Sequence, residues 1–264
     1  MNPVSFLDYS SVWLIYLSTL VILLIGNEAG YRIGKWRLLQ LAEGEKAPTT
    51  AIMGSILGLL AFMLAFSFGM SSSRFDSRRQ LVLDEASAIL RCDQRAQMLP
   101  ESAREKCHQL LAEYVSLRTD QLLMKDFDVL RKAFERSEEI QNELWAEAIA
   151  LSSEPNALLN SFILSLTELS DLQLKRVRAA LWNRIPVTII ATLYTVAFLA
   201  LMAMGYNAAL AGSRAIIPSF ILIMAFAVII VLIVDLERPR QQLFKVSQEP
   251  MIHVGNRIGL EFGP

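Results

Sequence analysis

Residues 61–79 read AFMLAFSFGMSSSRFDSRR, and within this stretch an apolar, aromatic segment gives way abruptly to serines, arginines and an aspartate. The apolar half continues upstream to Ala51, so residues 51–72 reach the length that the hydrocarbon core of a bilayer requires, about 20 residues in helical form. The polar half continues to Leu90 without a glycine or proline to interrupt it. We therefore predict a membrane-spanning helix that runs on into a water-soluble helical region.

The composition of the chain supports this division. Of its 264 residues, 53% are hydrophobic and 19% are charged, whereas an ordinary soluble domain has about 25% charged residues. The apolar residues lie in two blocks toward the ends, and nearly all the charge lies between them. A net charge of −1 leaves no basic face of the size that a nucleic-acid-binding protein needs. We expect a membrane protein that binds no nucleic acid.

Four stretches are candidates to span a bilayer: residues 12–26, 51–72, 185–206 and 216–234. The first reaches adequate length with Tyr9 and Ala29 as its interfacial ends. Between the second and third, residues 74–184 contain no glycine, and their apolar residues recur at helical spacing. We predict helices there over about 74–97, 101–124, 127–152 and 156–184, with a kink at Pro186.

The expected fold is an all-α membrane protein, in which four transmembrane helices form two hairpins that flank a cytoplasmic helical bundle. Its parts are a first hairpin (1–73), a helical domain (74–184), a second hairpin (185–234) and a C-terminal tail (235–264). Short links join the spans of each hairpin at 32–50 and 207–215.

Basic residues near the span ends indicate the orientation. The side that holds the termini and the central region has ten of them, and the opposite side has five. We therefore expect the central domain and both termini to lie in the cytoplasm, although the RIGKWR cluster at residues 32–37 opposes this assignment.

The second span carries two distinctive rows of residues on a helical wheel. The first is a stripe of small residues suited to close helix contact: Gly54, Gly58, Ala61, Ala65, Gly69 and Ser72. The second, beside it, contains Ser55, Leu59, Phe62, Phe66 and Met70. The two phenylalanines, one turn apart, either face lipid and neighbouring helices or form a hydrophobic constriction that gates ion flow by dewetting.

The stretch GLLAFMLAFSFGMSSSRFDSRR resembles the second span of the bestrophins, in which phenylalanines one turn apart precede a small, polar stretch and an arginine–aromatic pair. In bestrophins these phenylalanines, with an apolar residue one turn earlier, form the neck of a pentameric channel. With Arg74 and Phe75 matched to the arginine–aromatic pair, the neck positions fall on Gly58, Phe62 and Phe66. Gly58 departs from the pattern because it has no side chain to narrow a pore.

The chain as a whole is similar to the bacterial bestrophin-like membrane proteins. The motifs that carry this resemblance are EAGYRIGKW (28–36), SRFDSRRQLVLDEASAI (73–89), RVRAALWNRIP (176–186) and DLERPRQQLFKVSQEPM (235–251). The resemblance implies a multi-pass protein of the bacterial inner membrane that forms a homo-oligomer, a pentamer if it follows the bestrophins, and conducts small ions.

Four further acidic residues lie near span ends. Asp235 follows a nearly unbroken apolar run, and with Arg238 we expect it to form an interfacial clasp that orients the tail; the alternative is an ion site. Glu28 either lines a wet vestibule or reaches water from the membrane boundary. In an oligomer Asp84 and Glu85 would ring the axis below the neck and favour cations, unless they form surface salt bridges.

No enzymatic motif is present. The chain has no glycine-rich phosphate loop, GxSxG or HExxH motif, and no dense acidic loop for calcium. Cys92 and Cys107 are not part of a CxxC pair, so we expect two free thiols or a disulfide, without a metal or cofactor. Two functions remain: a bestrophin-like ion channel in contact with membrane lipids, and a non-conducting scaffold or sensor whose helical stalk binds a partner.

Overall fold

The computed structural model describes residues 11–40, 49–120, 127–152, 157–181, 186–212, 214, 216–238 and 246–260. Regular structure within these residues is entirely helical. The helices are α1 (Val12–Leu38), α2 (Thr49–Ala96), α3 (Glu101–Asp120), α4 (Phe127–Ala150), α5 (Ala157–Leu181), α6 (Val187–Leu210), α7 (Ile216–Glu237) and α8 (Glu249–Arg257).

Four of the helices, α1, α2, α6 and α7, are long and apolar enough to cross a membrane. The predicted spans are therefore confirmed, but the first link was predicted wrongly. Helix α1 continues through Arg32, Lys35 and Arg37 to Leu38, because long basic side chains at the membrane boundary reach water while their backbone stays helical. Helix α6 likewise continues to Leu210, into the predicted second link.

Helix α2 is a single helix of 48 residues, which at 1.5 Å per residue is about 72 Å long. No proline interrupts it, and it ends shortly before Pro100. As predicted, the helix continues out of the second span into the charged region. The predicted kink at Pro186 adjoins residues 182–185, which lie outside the described residues; Pro186 itself precedes the first turn of α6.

The chain divides into two compact units, one formed by residues 1–75 and 183–245 and the other by residues 76–182 and 246–264. The first unit contains α1, α6, α7 and the beginning of α2. Its core joins side chains from all four helices, including Leu23, Leu60, Leu193 and Ile230. The apolar spans thus pack against one another through a shared core.

The closest helix contact in the first unit involves glycines of α1 and α6. A Cβ added at Gly30 would lie 1.8 Å from the carbonyl oxygen of Met202, and one added at Gly205 would lie 2.0 Å from that of Asn27. Only glycine allows two backbones to approach this closely. The sequence motif is G-x-x-x-G-x-x-x-G at residues 26–34, which was not identified from the sequence.

The second unit is a helical bundle made of the remainder of α2 with α3, α4, α5 and α8. Its core contains large, fully buried side chains such as Ile89, Leu111 and Phe162. Helix α8 contributes Met251 and Val254 to this core, so the C-terminal residues from 246 onward group with the central helices. Cys92 and Cys107 are both buried free thiols in the same core.

Candidate functional site

Phe62 and Phe66 lie on the exposed face of α2. They are 69% and 62% exposed, and their rings stack with centroids 6.5 Å apart and planes 18° apart. The opposite face of the helix is buried, through Leu60 and Leu64, in the core of the first unit. Packing against the other spans therefore fixes the rotation of α2 so that both rings point outward.

The small-residue stripe accompanies the two rings on this face. Gly54, Gly58 and Gly69 have no atom within 4 Å of the position that a Cβ would occupy, apart from their own helix and chain neighbours. Within the described part of the chain these glycines contact no other helix, so the close helix contact to which this stripe is suited stays a prediction. In this chain the close contact is made by α1 and α6 instead.

The exposed face of α2 differs in composition from that of α7. The exposed large hydrophobic residues of α7 are Ile216, Ile217, Phe220, Ile221, Met224, Val228 and Ile229, as expected for a face in contact with lipid. On α2, the exposed residues between 51 and 69 mix phenylalanines, Ile52 and Leu59 with glycine, alanine and serine. The small residues of this face offer lipid little apolar area, so the face is suited to contact with another protein helix or with water.

The other residues predicted near the neck lie on or close to this face. Ser55 is exposed, and its hydroxyl donates a hydrogen bond to the carbonyl oxygen of Ala51 at 3.0 Å. Leu59 is exposed and Met70 is half-buried. Gly58 is exposed and has no side chain to place near the rings, so Phe62 and Phe66 are the bulky groups of this segment.

Glu28, predicted as a vestibule residue, forms two ion pairs. Its carboxylate lies 2.9 Å from Nε of Arg32 and 2.7 Å from Nη2 of Arg214. The guanidinium of Arg214 also lies over the ring of Tyr31, 4.8 Å from its centroid. This surface network joins α1 to the residue between α6 and α7, and only its central carboxylate was singled out from the sequence.

Asp84 and Glu85 are adjacent on α2 but lie in different environments. Asp84 is half-exposed and accepts a hydrogen bond from the Gln80 amide at 2.8 Å. Glu85 is fully buried within the second unit. The expectation that both carboxylates face water therefore does not fit Glu85, because the packing of the chain removes this side chain from its surface.

Glu85 is the centre of a buried ionic cluster that joins α2, α3 and α5. The Tyr114 hydroxyl donates to its Oε1 at 2.5 Å, and Nη2 of Arg118 lies 3.1 Å from the same oxygen. Arg176 pairs with the other oxygen. The Arg118 guanidinium also donates to the Tyr114 oxygen at 2.9 Å and lies 5.0 Å from the ring centroid. Three helices are thereby linked through one carboxylate.

The cluster keeps Glu85 ionised. Burial acts to raise the pKa of Glu85, but the charges of Arg176 and Arg118 outweigh it and hold that pKa below its usual range. Burial likewise raises the pKa of the Tyr114 phenol, which stays neutral and donates its proton to the carboxylate. A paired, desolvated carboxylate of this kind has a structural role.

The predicted clasp lies at the end of α7. Asp235 and Arg238 are both buried, and the Arg238 amide donates to the carbonyl oxygen of Asp235 at 3.1 Å. Nη1 of Arg74, on α2, lies 3.7 Å from Oε2 of Glu237. Buried charges of both signs therefore gather here, and the side-chain pairing of Asp235 with Arg238 remains a prediction.

The described residues hold no group of three or more histidine, cysteine, aspartate or glutamate side chains arranged to bind a metal ion. The expectation from the sequence that the protein works without a metal or a cofactor stays a prediction.

Comparison with solved structures establishes the fold. One similar structure is a bacterial bestrophin homologue from Klebsiella pneumoniae, in a variant with one tryptophan replaced by alanine. The alignment covers 95% of this chain and 96% of the homologue, with a TM-score of 0.69 and 16% sequence identity. A second is a structure of a bestrophin homologue from the same organism, solved by Zn-SAD phasing. Here the alignment covers 94% of this chain and 96% of the homologue, with a TM-score of 0.67 and 16% sequence identity. A comparison with curated proteins gave no match.

The family follows from the sequence itself. A model of the bestrophin-like domain matches residues 34–251, which is well over half of the 264 residues. The matched region begins near the end of the first span and includes the exposed face of α2, the Glu85 cluster and the end of α7. On this evidence the chain belongs to the bestrophin-like family.

Proposed function

We propose that the protein is an oligomeric ion channel whose hydrophobic neck is formed by α2, with Phe62 and Phe66 as its two rings of side chains. Membership of the bestrophin-like family and the bestrophin fold support a channel. Gly58 lies one turn before Phe62 and leaves the neck open at its own level.

The composition of the exposed face of α2 carries this proposal. Phenylalanines and small residues are mixed on it, together with Ile52 and Leu59, whereas the exposed face of α7 consists mainly of large apolar side chains suited to lipid. Close packing between copies needs small residues, and a dewetting gate needs bulky apolar ones. One helix face that offers both is suited to a symmetry axis, at which several copies bring their rings together.

Four of the remaining predicted residues have places in this channel. Ser55 and Leu59 line the pathway beside the neck, and Met70 lies beyond it. Asp84, half-exposed on the same helix, contributes a carboxylate to the cytoplasmic vestibule. The channel lies in the bacterial inner membrane, with the helical unit and both termini in the cytoplasm.

Ion flux through reconstituted protein tests the proposal. The wild-type protein and the variant Phe62→Ala/Phe66→Ala are placed in liposomes, and flux is measured under varied voltage, pH and salt. Removal of the rings widens and wets the neck, so we expect the flux to increase or its ion selectivity to change. Phe220→Ala is the matched control, because Phe220 is a 43% exposed phenylalanine on α7, and we expect it to conduct as the wild type does.

Two results would count against a gate at this position. If Phe220→Ala changes flux as much as the double variant, the effect comes from general disturbance of the spans. If neither the wild type nor the double variant conducts under any condition, the alternative function, a non-conducting scaffold or sensor, becomes the better explanation. The two phenylalanines would then contact lipid or neighbouring helices.

A further inference from the structure

A cleft of about 470 Å³ lies between α2 and α5 in the second unit. Its volume is within the range of small-molecule sites, roughly 300–1,000 Å³. Its lining includes Asp84 and Arg91 from α2, and Glu168, Asp171, Leu172 and Lys175 from α5. Neither the neck nor the buried Glu85 cluster explains why these charges surround a common space.

The charges that line the cleft are only partly neutralised by one another. Arg91 binds both carboxylate oxygens of Glu168, with its Nη2 at 2.7 Å and its Nε at 3.3 Å, and this pair connects the two walls. Asp171 and Lys175 lie one turn apart on α5, a spacing that favours pairing. Both side chains are exposed, and within the described residues neither of them forms an ion pair or a side-chain hydrogen bond.

We propose that this cleft binds a small zwitterion of the amino-acid class. The ammonium group of the ligand lies between the carboxylates of Asp84 and Asp171, and its carboxylate lies on the ammonium of Lys175. The ligand thereby bridges opposite charges that do not pair directly with each other. Charge-assisted hydrogen bonds of this kind are stronger than those between neutral groups.

The lining favours a zwitterion over ligands with a single sign of charge. A dicarboxylate would place a second negative group beside Asp84 and Asp171, whereas a diamine would place a second positive group beside Lys175. Leu172, also in the lining, is buried, and Leu164 is 66% exposed. These two side chains offer an apolar surface to the aliphatic part of the ligand.

Calorimetric titration of the full chain in detergent micelles tests the proposal, with L-leucine, putrescine and succinate as probes at equal ionic strength. We expect saturable binding of L-leucine and at most weak binding of the other two. Asp171→Asn and Lys175→Met should each weaken L-leucine binding by about tenfold or more, since each removes one charge-assisted contact. Glu105→Gln is the matched control, because Glu105 is an exposed carboxylate on α3, outside the cleft.

Three results would overturn the proposal: no saturable binding of L-leucine at about 10 mM, putrescine or succinate binding at least as tightly as L-leucine, or unchanged affinity in both cleft variants. The helical content of each variant is compared with that of the wild type by circular dichroism, and Asp84→Asn replaces a variant that does not fold. Because binding is measured without ion flux, the result is independent of whether the protein conducts.

Discussion

Replacement of Gly30 by alanine tests the contact between α1 and α6. The added Cβ would lie 1.8 Å from the carbonyl oxygen of Met202, whereas ordinary contact of a Cβ begins at 3.4 Å. The two helices would have to separate at this point by about 1.6 Å, the difference between these distances. The obstacle is backbone, so no side chain can rotate to make room.

The expected loss of stability follows from two opposing effects. Overpacking costs about 1–3 kcal/mol, and the backbone obstacle places Gly30→Ala at the upper end of this range. Replacement of a glycine by alanine within a helix stabilises the helix by up to about 1 kcal/mol. We therefore expect a net loss of about 2 kcal/mol in the free energy of unfolding.

Unfolding in mixed detergent and dodecyl sulfate micelles, followed by circular dichroism, measures this loss. The matched control is Gly54→Ala on α2, where the added Cβ meets no atom within 4 Å, and we expect it to keep or slightly increase stability. Size-exclusion chromatography separates effects on assembly from effects on the single chain.

A series of glycine variants makes the test stricter. The nearest atom to an added Cβ lies at 1.8 Å for Gly30, 2.0 Å for Gly205, 2.6 Å for Gly34 and 3.0 Å for Gly26. The loss of stability should decrease in this order. Our explanation of the contact would be refuted if Gly30→Ala were as stable as Gly54→Ala, or if Gly26→Ala were the most damaging of the series.

Three further predictions concern the second unit. Glu85→Gln should lower the free energy of unfolding by about 3–5 kcal/mol, because it leaves Arg118 buried with an uncompensated charge. Glu168→Gln breaks an exposed ion pair and should lower the free energy of unfolding by at most about 1 kcal/mol. Denaturant titrations of the two variants measure this difference. The pKa of Glu85 is lower in the folded protein than in the unfolded chain. The stability that ionised Glu85 contributes is therefore fully present above the unfolded pKa of about 4.3 and is lost as the pH falls through the folded pKa. Acid should accordingly destabilise Glu85→Gln less than the wild type. Burial raises the pKa of Cys107 to about 11 and that of Cys92 to about 12, so both thiols should resist a disulfide reagent at pH 8 in the folded protein and react after denaturation. Rapid labelling of the folded protein would contradict the buried placement of these thiols.

The spans and the long helices could be predicted from the sequence because each depends on a local pattern. Apolar length identified the spans, and helical spacing without glycine identified the helices between residues 74 and 184. The end of α1 lies beyond the predicted limit, because Arg32 marks the end of the apolar segment and not the end of the helix. Helix and hydrocarbon core need not end at the same residue.

The contacts were harder to predict because they depend on pairing between distant segments. The glycines at 26, 30 and 34 carry a recognisable signal, i and i+4 spacing of the smallest residue, but the stripe on the second span carries the same signal, and spacing alone does not identify the partner helix. Glu85 had no such signal. Its partners Arg118 and Arg176 lie on other helices that are rich in arginine and glutamate, and the sequence does not indicate which of these charges are brought together.

The contact between Gly30 and Met202 has a consequence for biogenesis, because 172 residues separate its two members (202 less 30). At about 5–20 residues per second, a ribosome needs on the order of 10–35 s to synthesise the chain between these two residues. During this interval the helix that covers the glycines of α1 has yet to be translated in full. At that stage the apolar side chains of the first span must hold it in the membrane without the contact to α6. A chain that stalls before α6 would present an uncovered glycine surface to the membrane's quality-control proteases.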